Sequence, residues 1–81
     1  MLKIGTVINF YEKIGVCVVE LFSGLALGDT IRFVRDSEDL FEQKVDSIQI
    51  EHEKVEFAAA GSVVGLKPQK SVNEGVEIYK I

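Results

Sequence analysis

The sequence predicts an all-β fold, a small barrel or sandwich of about six strands, formed by a single domain over residues 1–81. Three observations favour this class. Apolar and β-branched residues alternate with polar ones at a period of two, which is typical of half-buried strands. Turn residues recur about every 8–12 residues, as in small barrels and sandwiches. Hydrophobic residues make up 47% of the chain, enough for a core without disulfides or a metal.

The first two strands are predicted near Lys3–Phe10 and Ile14–Leu21. In the first strand, Ile4, Ile8 and Phe10 are expected to share one face. The second strand is apolar on both faces, which is typical of a strand that is central or lies where two layers meet.

Four further strands are predicted at Thr30–Arg35, Leu40–Ile50, Val63–Lys67 and Val76–Ile81. Within the long fourth strand the apolar positions change phase near Asp46-Ser47, which predicts a β-bulge or a sharp bend there. The fifth strand ends at Pro68, because proline cannot donate to a strand ladder.

The segment between the fourth and fifth strands allows two interpretations. Val55, Ala58 and Ala59 lie at helical spacing, which predicts one helical turn. A full helix from Glu51 to Ala60 is the alternative, favoured by its alanine-rich end.

Charge and cysteine content limit which classes of protein this chain can belong to. The net charge is −4, and the segment Arg35–Glu56 alone carries −5, so the chain is a poor candidate for non-specific nucleic-acid binding. Cys17 is the only cysteine and lies in an apolar run, which favours a buried thiol in a reducing cytosol. No apolar run approaches the ~20 residues that span a bilayer. We therefore expect a cytoplasmic protein without a membrane partner.

Several short motifs occur in a fixed order. They are the turn Gly24-Leu25-Ala26-Leu27-Gly28-Asp29, the pair Val45-x-x-Ile48, the segment from Val55 to Leu66 and the turn at Gly75. Together they resemble the β-barrel second domain of translational GTPases such as elongation factor Tu and initiation factor 2, and above all short stand-alone elongation-factor-like proteins. A similar barrel occurs as a C-terminal module of collagenase-like peptidases and of tRNA-modification proteins.

Two departures limit what this resemblance implies. Gly75 is followed by valine where the family has aspartate, so the turn lacks an Asx-type hydrogen bond. No phosphate-binding glycine loop with Lys and Ser/Thr is present, so neither GTP binding nor any other cofactor is expected. The resemblance implies a closed or nearly closed six-stranded β-barrel of the translation-protein type. It also implies a non-enzymatic binding module that associates with tRNA, the ribosome or a translation-related protein. The alternative, favoured by the net negative charge, is a protein-interaction or structural module with no RNA role.

Five residues are candidates for contact with RNA or another partner: Tyr11, Lys13, His52, Lys67 and Lys70. Aromatic stacking and lysine–phosphate contacts would form an RNA-binding rim, whereas the alternative is a solvated edge. A metal site needs several converging ligands, and His52 is the only histidine, so we expect an exposed turn histidine. The acidic residues fall mostly in turns and Cys17 in a core-like strand, so no catalytic residue is predicted.

Overall fold

The computed structural model describes residues 1–81, and all of its regular elements are β-strands, which confirms the all-β class. No helix that could cross a lipid bilayer occurs in it. The ten strands are β1 Leu2–Tyr11, β2 Val16–Leu21, β3 Leu25–Ala26, β4 Thr30–Arg35, β5 Glu38–Lys44, β6 Ile48–Ile50, β7 Glu53–Val55, β8 Phe57–Ala58, β9 Val63–Leu66 and β10 Glu77–Lys80.

Eight strands form one antiparallel sheet in the order β5-β4-β10-β1-β2-β9-β6-β7, and β3 and β8 form a separate two-stranded ribbon. The edge strands β5 and β7 each have one partner, so the sheet is open and the predicted six-stranded closed or nearly closed barrel is wrong. Two physical causes explain the difference. The last edge strand has only three residues, and a pair of charged residues, Glu53 and Lys54, occupies it. Short, charged edges resist further strand pairing.

A single hydrophobic cluster of 16 buried residues forms the core. Phe33 on β4 is fully buried and stacks on Phe41 of β5, with ring centroids 4.5 Å apart. Ile31 and Phe33 face the core, as the alternation in β4 predicts.

The long strand β1 is bent by two irregularities in its register, one at Ile4 and one at Ile8. The second irregularity turns Ile8 outward, where it is 40% exposed, and leaves Val7 buried. The expectation that Ile4 and Ile8 share a face is therefore wrong, because an extra residue shifts the alternation by one. Near the first irregularity a side chain on Gly5 would lie 2.7 Å from the carbonyl oxygen of Glu20, so only glycine fits.

The predicted bend near Asp46-Ser47 is present. Strand β5 ends at Lys44 and β6 begins at Ile48, so residues 45–47 lie outside both strands, although Val45 still exchanges backbone hydrogen bonds with Gly28 and Asp29. The chain thereby passes from one edge of the sheet, beside β4, to the other side, beside β9. The bend thus separates two strands rather than interrupting one.

Both helical interpretations of residues 51–60 are wrong. Glu51 and His52 have positive φ angles of 50° and 68°, which no right-handed helix allows. They form a two-residue connection between β6 and β7, in which Ile50 pairs with Glu53. Positive φ at both central residues is the signature of a type I′ hairpin turn. The remaining residues of this segment contribute β7 and β8.

Candidate functional site

Strands β2 and β9 have an outward face that nothing in the fold covers. Cys17 and Val19 of β2 are fully buried in the core, whereas Val16 and Val18 point outward and are half-buried. On β9, the neighbour of Val18 is Gly65. The apolar character of both faces of β2, visible in the sequence, therefore corresponds to a core face and an open outer face.

A groove of about 470 Å³ lies on this outer face. Its lining comes from the β1–β2 hairpin, β2, β6, the β6–β7 turn and β9: Tyr11, Ile14, Val16, Val18, Gln49, Ile50, Glu51, His52, Val63, Val64 and Gly65. Mostly apolar lining with a few polar groups, at this volume, is typical of ligand-binding clefts.

Gly65 forms part of the groove wall because it has no side chain. A Cβ atom at this position would lie 3.3 Å from Val16 Cγ1 and 3.8 Å from Gln49 Cβ. A larger residue would therefore project between β2 and β6 and reduce the volume of the groove.

One end of the groove is made by the hairpin that joins β1 to β2. Tyr11 and Ile14 are 50% and 67% exposed there. The hairpin closes through a hydrogen bond that the Gly15 amide donates to the Tyr11 carbonyl over 2.9 Å, with Gly15 at a φ of 65°. Large apolar side chains are thus held in solvent by a tightly hydrogen-bonded turn.

The other end is made by the Glu51-His52 turn. Gln49 of β6 pairs with Gly65, and the antiparallel course of the chains carries Glu51 towards the Val63 end of β9. Glu51 is the only Asp, Glu, Lys or Arg residue in the lining. It takes part in none of the ion pairs of the structure. Non-glycine residues at positive φ cost free energy, and such strain tends to occur at functional positions.

Of the five residues singled out from the sequence, two line the groove and three do not. Tyr11 and His52 line the groove at opposite ends. Lys13, Lys67 and Lys70 are exposed but do not line it. The Lys70 Nζ atom lies 5.8 Å from the centroid of the Phe41 ring, on the β5 side of the sheet.

Sequence reasoning missed the central part of the groove, which consists of Val16, Val18, Val63 and Gly65. One signal was available, since a strand that is apolar on both faces requires a second apolar environment. The pairing of β2 with β9 and of β9 with β6 is non-local, however, and the sequence pattern does not indicate it.

Cys17 is not placed for nucleophilic chemistry. Burial raises the pKa of its thiol to about 12, so the reactive thiolate is not formed near neutral pH. No group of three or more His, Cys, Asp or Glu side chains is arranged to hold a metal ion.

Comparison with known proteins gives matches among peptidases, and no protein-family model matches the chain. The uncharacterized protease MJ0090 of Methanocaldococcus jannaschii is 41% identical over 78 residues, which is 96% of this chain and 19% of that protein. The chain therefore spans about a fifth of the length of this curated relative.

Two solved structures share the fold. One is the C-terminal domain of a Geobacillus thermoleovorans protein assigned as a U32 peptidase, with a TM-score of 0.89, 18% identity, and coverage of 99% of this chain and 92% of that one. The other is the selenomethionine variant of the same domain, with a TM-score of 0.91 and 18% identity, covering 99% and 100% of the two chains.

These matches overturn the resemblance to the second domain of translational GTPases, and with it the elongation-factor-like, translation-related function. The physical reason lies in the motifs that carried the resemblance. Gly28, Gly61 and Gly75 have positive φ angles of 89°, 90° and 95°. Glycine is the usual residue at such turns in any β-fold, so these motif positions do not identify one family. Among the resemblances drawn from the sequence, the one to C-terminal modules of peptidases agrees with the matches.

Proposed function

We propose that this chain is a non-catalytic accessory domain of the peptidase type, which binds polypeptide through the groove on the outer face of β2, β9 and β6. The observation that carries the proposal is the match to MJ0090, which covers 96% of this chain but 19% of that protein. A segment of that size in a protease is typical of a domain added to a catalytic unit. The two solved structures support the same view, because they are C-terminal domains of a peptidase.

The groove supports polypeptide as the ligand. Apolar side chains stand exposed around it, including Ile14 at 67%, Tyr11 at 50% and Val63 at 48%. Clustered exposed apolar residues on a small domain mark interaction surfaces. Tyr11 and His52 keep the partner-contacting role predicted from the sequence.

The three lysines predicted as partner contacts, Lys13, Lys67 and Lys70, are proposed only as contacts outside the groove. By register, Lys13 and Lys67 lie at the end of the sheet where β2 begins and β9 ends. Each extends into solvent, where it would add charge attraction rather than apolar contact.

A non-catalytic role is supported by the state of Cys17, the only thiol of the chain. It is fully buried and its pKa is raised to about 12, so it does not supply an attacking thiolate. We also propose that residues 1–81 form one domain around the single core, and that the protein works in the cytoplasm, where an unpaired cysteine stays reduced.

Binding of an unfolded polypeptide to the whole 81-residue chain tests the proposal. The probe is reduced, carboxymethylated α-lactalbumin labelled with fluorescein, and the measurement is fluorescence anisotropy. We expect saturable binding, and no cleavage of the probe on a denaturing gel after prolonged incubation. Cleavage by the purified chain would contradict the non-catalytic role.

Two variants at the groove and one matched control locate the binding. Val63→Asp puts a charge on the apolar face, and Gly65→Val fills the space next to Val16. Leu40→Asp is the control, because Leu40 is 39% exposed on β5, at the opposite edge of the sheet. We expect both groove variants to weaken binding and the control to bind like wild type. Equal binding by all of them would remove the groove from the proposal.

A further inference from the structure

We propose that the groove prefers extended peptide segments in which apolar side chains flank one lysine or arginine, with the basic group paired to Glu51. This inference rests on the proposed function and adds the sequence preference of the ligand.

The turn end of the groove is negatively charged. Glu51 is the one formally charged residue of the lining and has no ion-pair partner. Glu20 is exposed and lies opposite Val63 across the β2–β9 pairing, so it adds a second carboxylate at this end. One basic residue, Lys54, lies opposite Gln49 on β7, but it neither lines the groove nor forms an ion pair. The end that a ligand meets is thus acidic.

Apolar surface lies next to Glu51 in the groove. Val63 lies at the Glu51 end of the groove and Val18 lies further along it, and both expose aliphatic surface. Lysine and arginine cover such surface with their methylene stems while their charged ends remain at the edge. A basic side chain therefore satisfies both features at once, whereas an acidic side chain is repelled and a short polar one leaves the apolar surface uncovered.

Strand pairing limits how a peptide can bind in the groove. Strand β9 is hydrogen-bonded to β2 on one side and to β6 on the other. A peptide in the groove cannot extend the sheet at this point, and it must lie across the outer face and be recognised by its side chains. Side-chain recognition makes the position of the basic residue decisive.

Three synthetic peptides test the preference: fluorescein-Gly-Ser-Val-Leu-X-Val-Ser-Gly with X as lysine, norleucine or glutamate. Norleucine keeps the aliphatic stem and removes the ammonium group. At low ionic strength we expect the lysine peptide to bind about two- to fivefold more tightly than the norleucine peptide, and the glutamate peptide to bind most weakly. The advantage of lysine should shrink in high salt.

A charge reversal in the protein assigns this preference to Glu51. In the Glu51→Lys variant we expect the order to invert, with the glutamate peptide now tighter than the lysine peptide. The matched control is Asp36→Lys, which makes the same change of sign at the first residue of the other two-residue turn, where the Asp36 side chain is 95% exposed and outside the groove.

The outcomes separate this inference from the proposed function. Equal binding of all three peptides, still lost in Gly65→Val, would overturn the role of Glu51 and leave polypeptide binding intact. An equal change in Asp36→Lys and Glu51→Lys would also overturn it, because the effect would then come from net charge. If no peptide binds and unfolded α-lactalbumin does not bind either, both the inference and the proposed function fail.

Discussion

The side chain of Gln43 holds the backbone of Gln69 in place across 26 positions of sequence. Gln43 Oε1 accepts a hydrogen bond from the Gln69 amide at 2.7 Å, and its Nε2 donates to the Lys67 carbonyl at 3.0 Å. Gln43 is the one buried polar or charged residue of the structure, at 8% exposure. The amide thus substitutes for a strand neighbour and fixes the loop around Pro68, where strand pairing ends.

Replacing Gln43 with leucine should therefore destabilise the fold. Leucine keeps the volume but leaves the Lys67 carbonyl and the Gln69 amide without their partners, which costs about 1–3 kcal/mol. The measurement is the free energy of unfolding in urea. Gln69→Ala is the control, because Gln69 uses only its backbone and its side chain is exposed. A control variant as unstable as Gln43→Leu would show that the side-chain amide of Gln43 is not the cause.

Phe33→Ala should destabilise by about 3–5 kcal/mol, since it removes a fully buried ring from the stack with Phe41 and leaves a cavity. Total stability for a domain of this size is about 5–10 kcal/mol, so this one change should remove roughly a third or more of it. Thermal melting followed by circular dichroism measures the effect. Phe57→Ala, at a ring that is 60% exposed, should shift the melting temperature much less. A Phe33→Ala protein that melts within a degree or two of wild type would exclude Phe33 from the stabilising core.

Ser37→Gly should stabilise the protein by about 0.5–1 kcal/mol. Ser37 has a φ of 66° in the two-residue turn between β4 and β5, where a side chain is strained and glycine is not. Ser71→Gly is the control, because Ser71 does not have a positive φ and glycine there only increases the freedom of the unfolded chain. The unfolding free energies in urea should move in opposite directions. A loss of stability in Ser37→Gly would mean that this turn is not strained.

Several elements could be predicted from the sequence because their signals are local. The alternation of Ile31 and Phe33 predicted strand β4, and the change of apolar phase near Asp46-Ser47 predicted the bend. The Glu51-His52 turn could not be predicted, because it lacks the Asn-Gly or Asp-Gly pair that usually marks a two-residue turn with positive φ angles. Strands β3, β6, β7 and β8 have two or three residues each, too few to show a period.

The candidate site was predicted only at its two ends. Tyr11 and His52 are residue types that often contact ligands, so the sequence alone drew attention to them. Val18 and Gly65 line the groove only because a cross-strand pairing brings distant parts of the chain together. A register shift of one residue in β9 would have turned Gly65 into the core and Val64 outward. The groove therefore depends on a register that composition and spacing do not determine.

Alkaline pH should destabilise the protein through Cys17. Burial raises the pKa of this thiol to about 12, whereas an unfolded cysteine titrates at about 8.5. Below pH 8.5 the thiol is protonated in both states, and the stability that it contributes is fully present. As the pH rises from about 8.5 towards 12, the unfolded chain loses a proton that the folded chain keeps, so the unfolded state is favoured. At pH 10.5 the loss should be about 2–3 kcal/mol.

The free energy of unfolding in urea, measured at pH 7.5 and pH 10.5 for wild type and for Cys17→Ala, isolates this effect. The two proteins share every titratable group except the thiol, so the difference between the two pH-dependent losses belongs to the thiol. Wild type should lose about 2–3 kcal/mol more than Cys17→Ala, even though the variant is less stable at pH 7.5 because of its cavity. The native thiol should also react with Ellman's reagent at pH 8 far more slowly than the urea-unfolded thiol. Equal pH-dependent losses in the two proteins, together with rapid reaction of the native thiol, would place Cys17 outside the core.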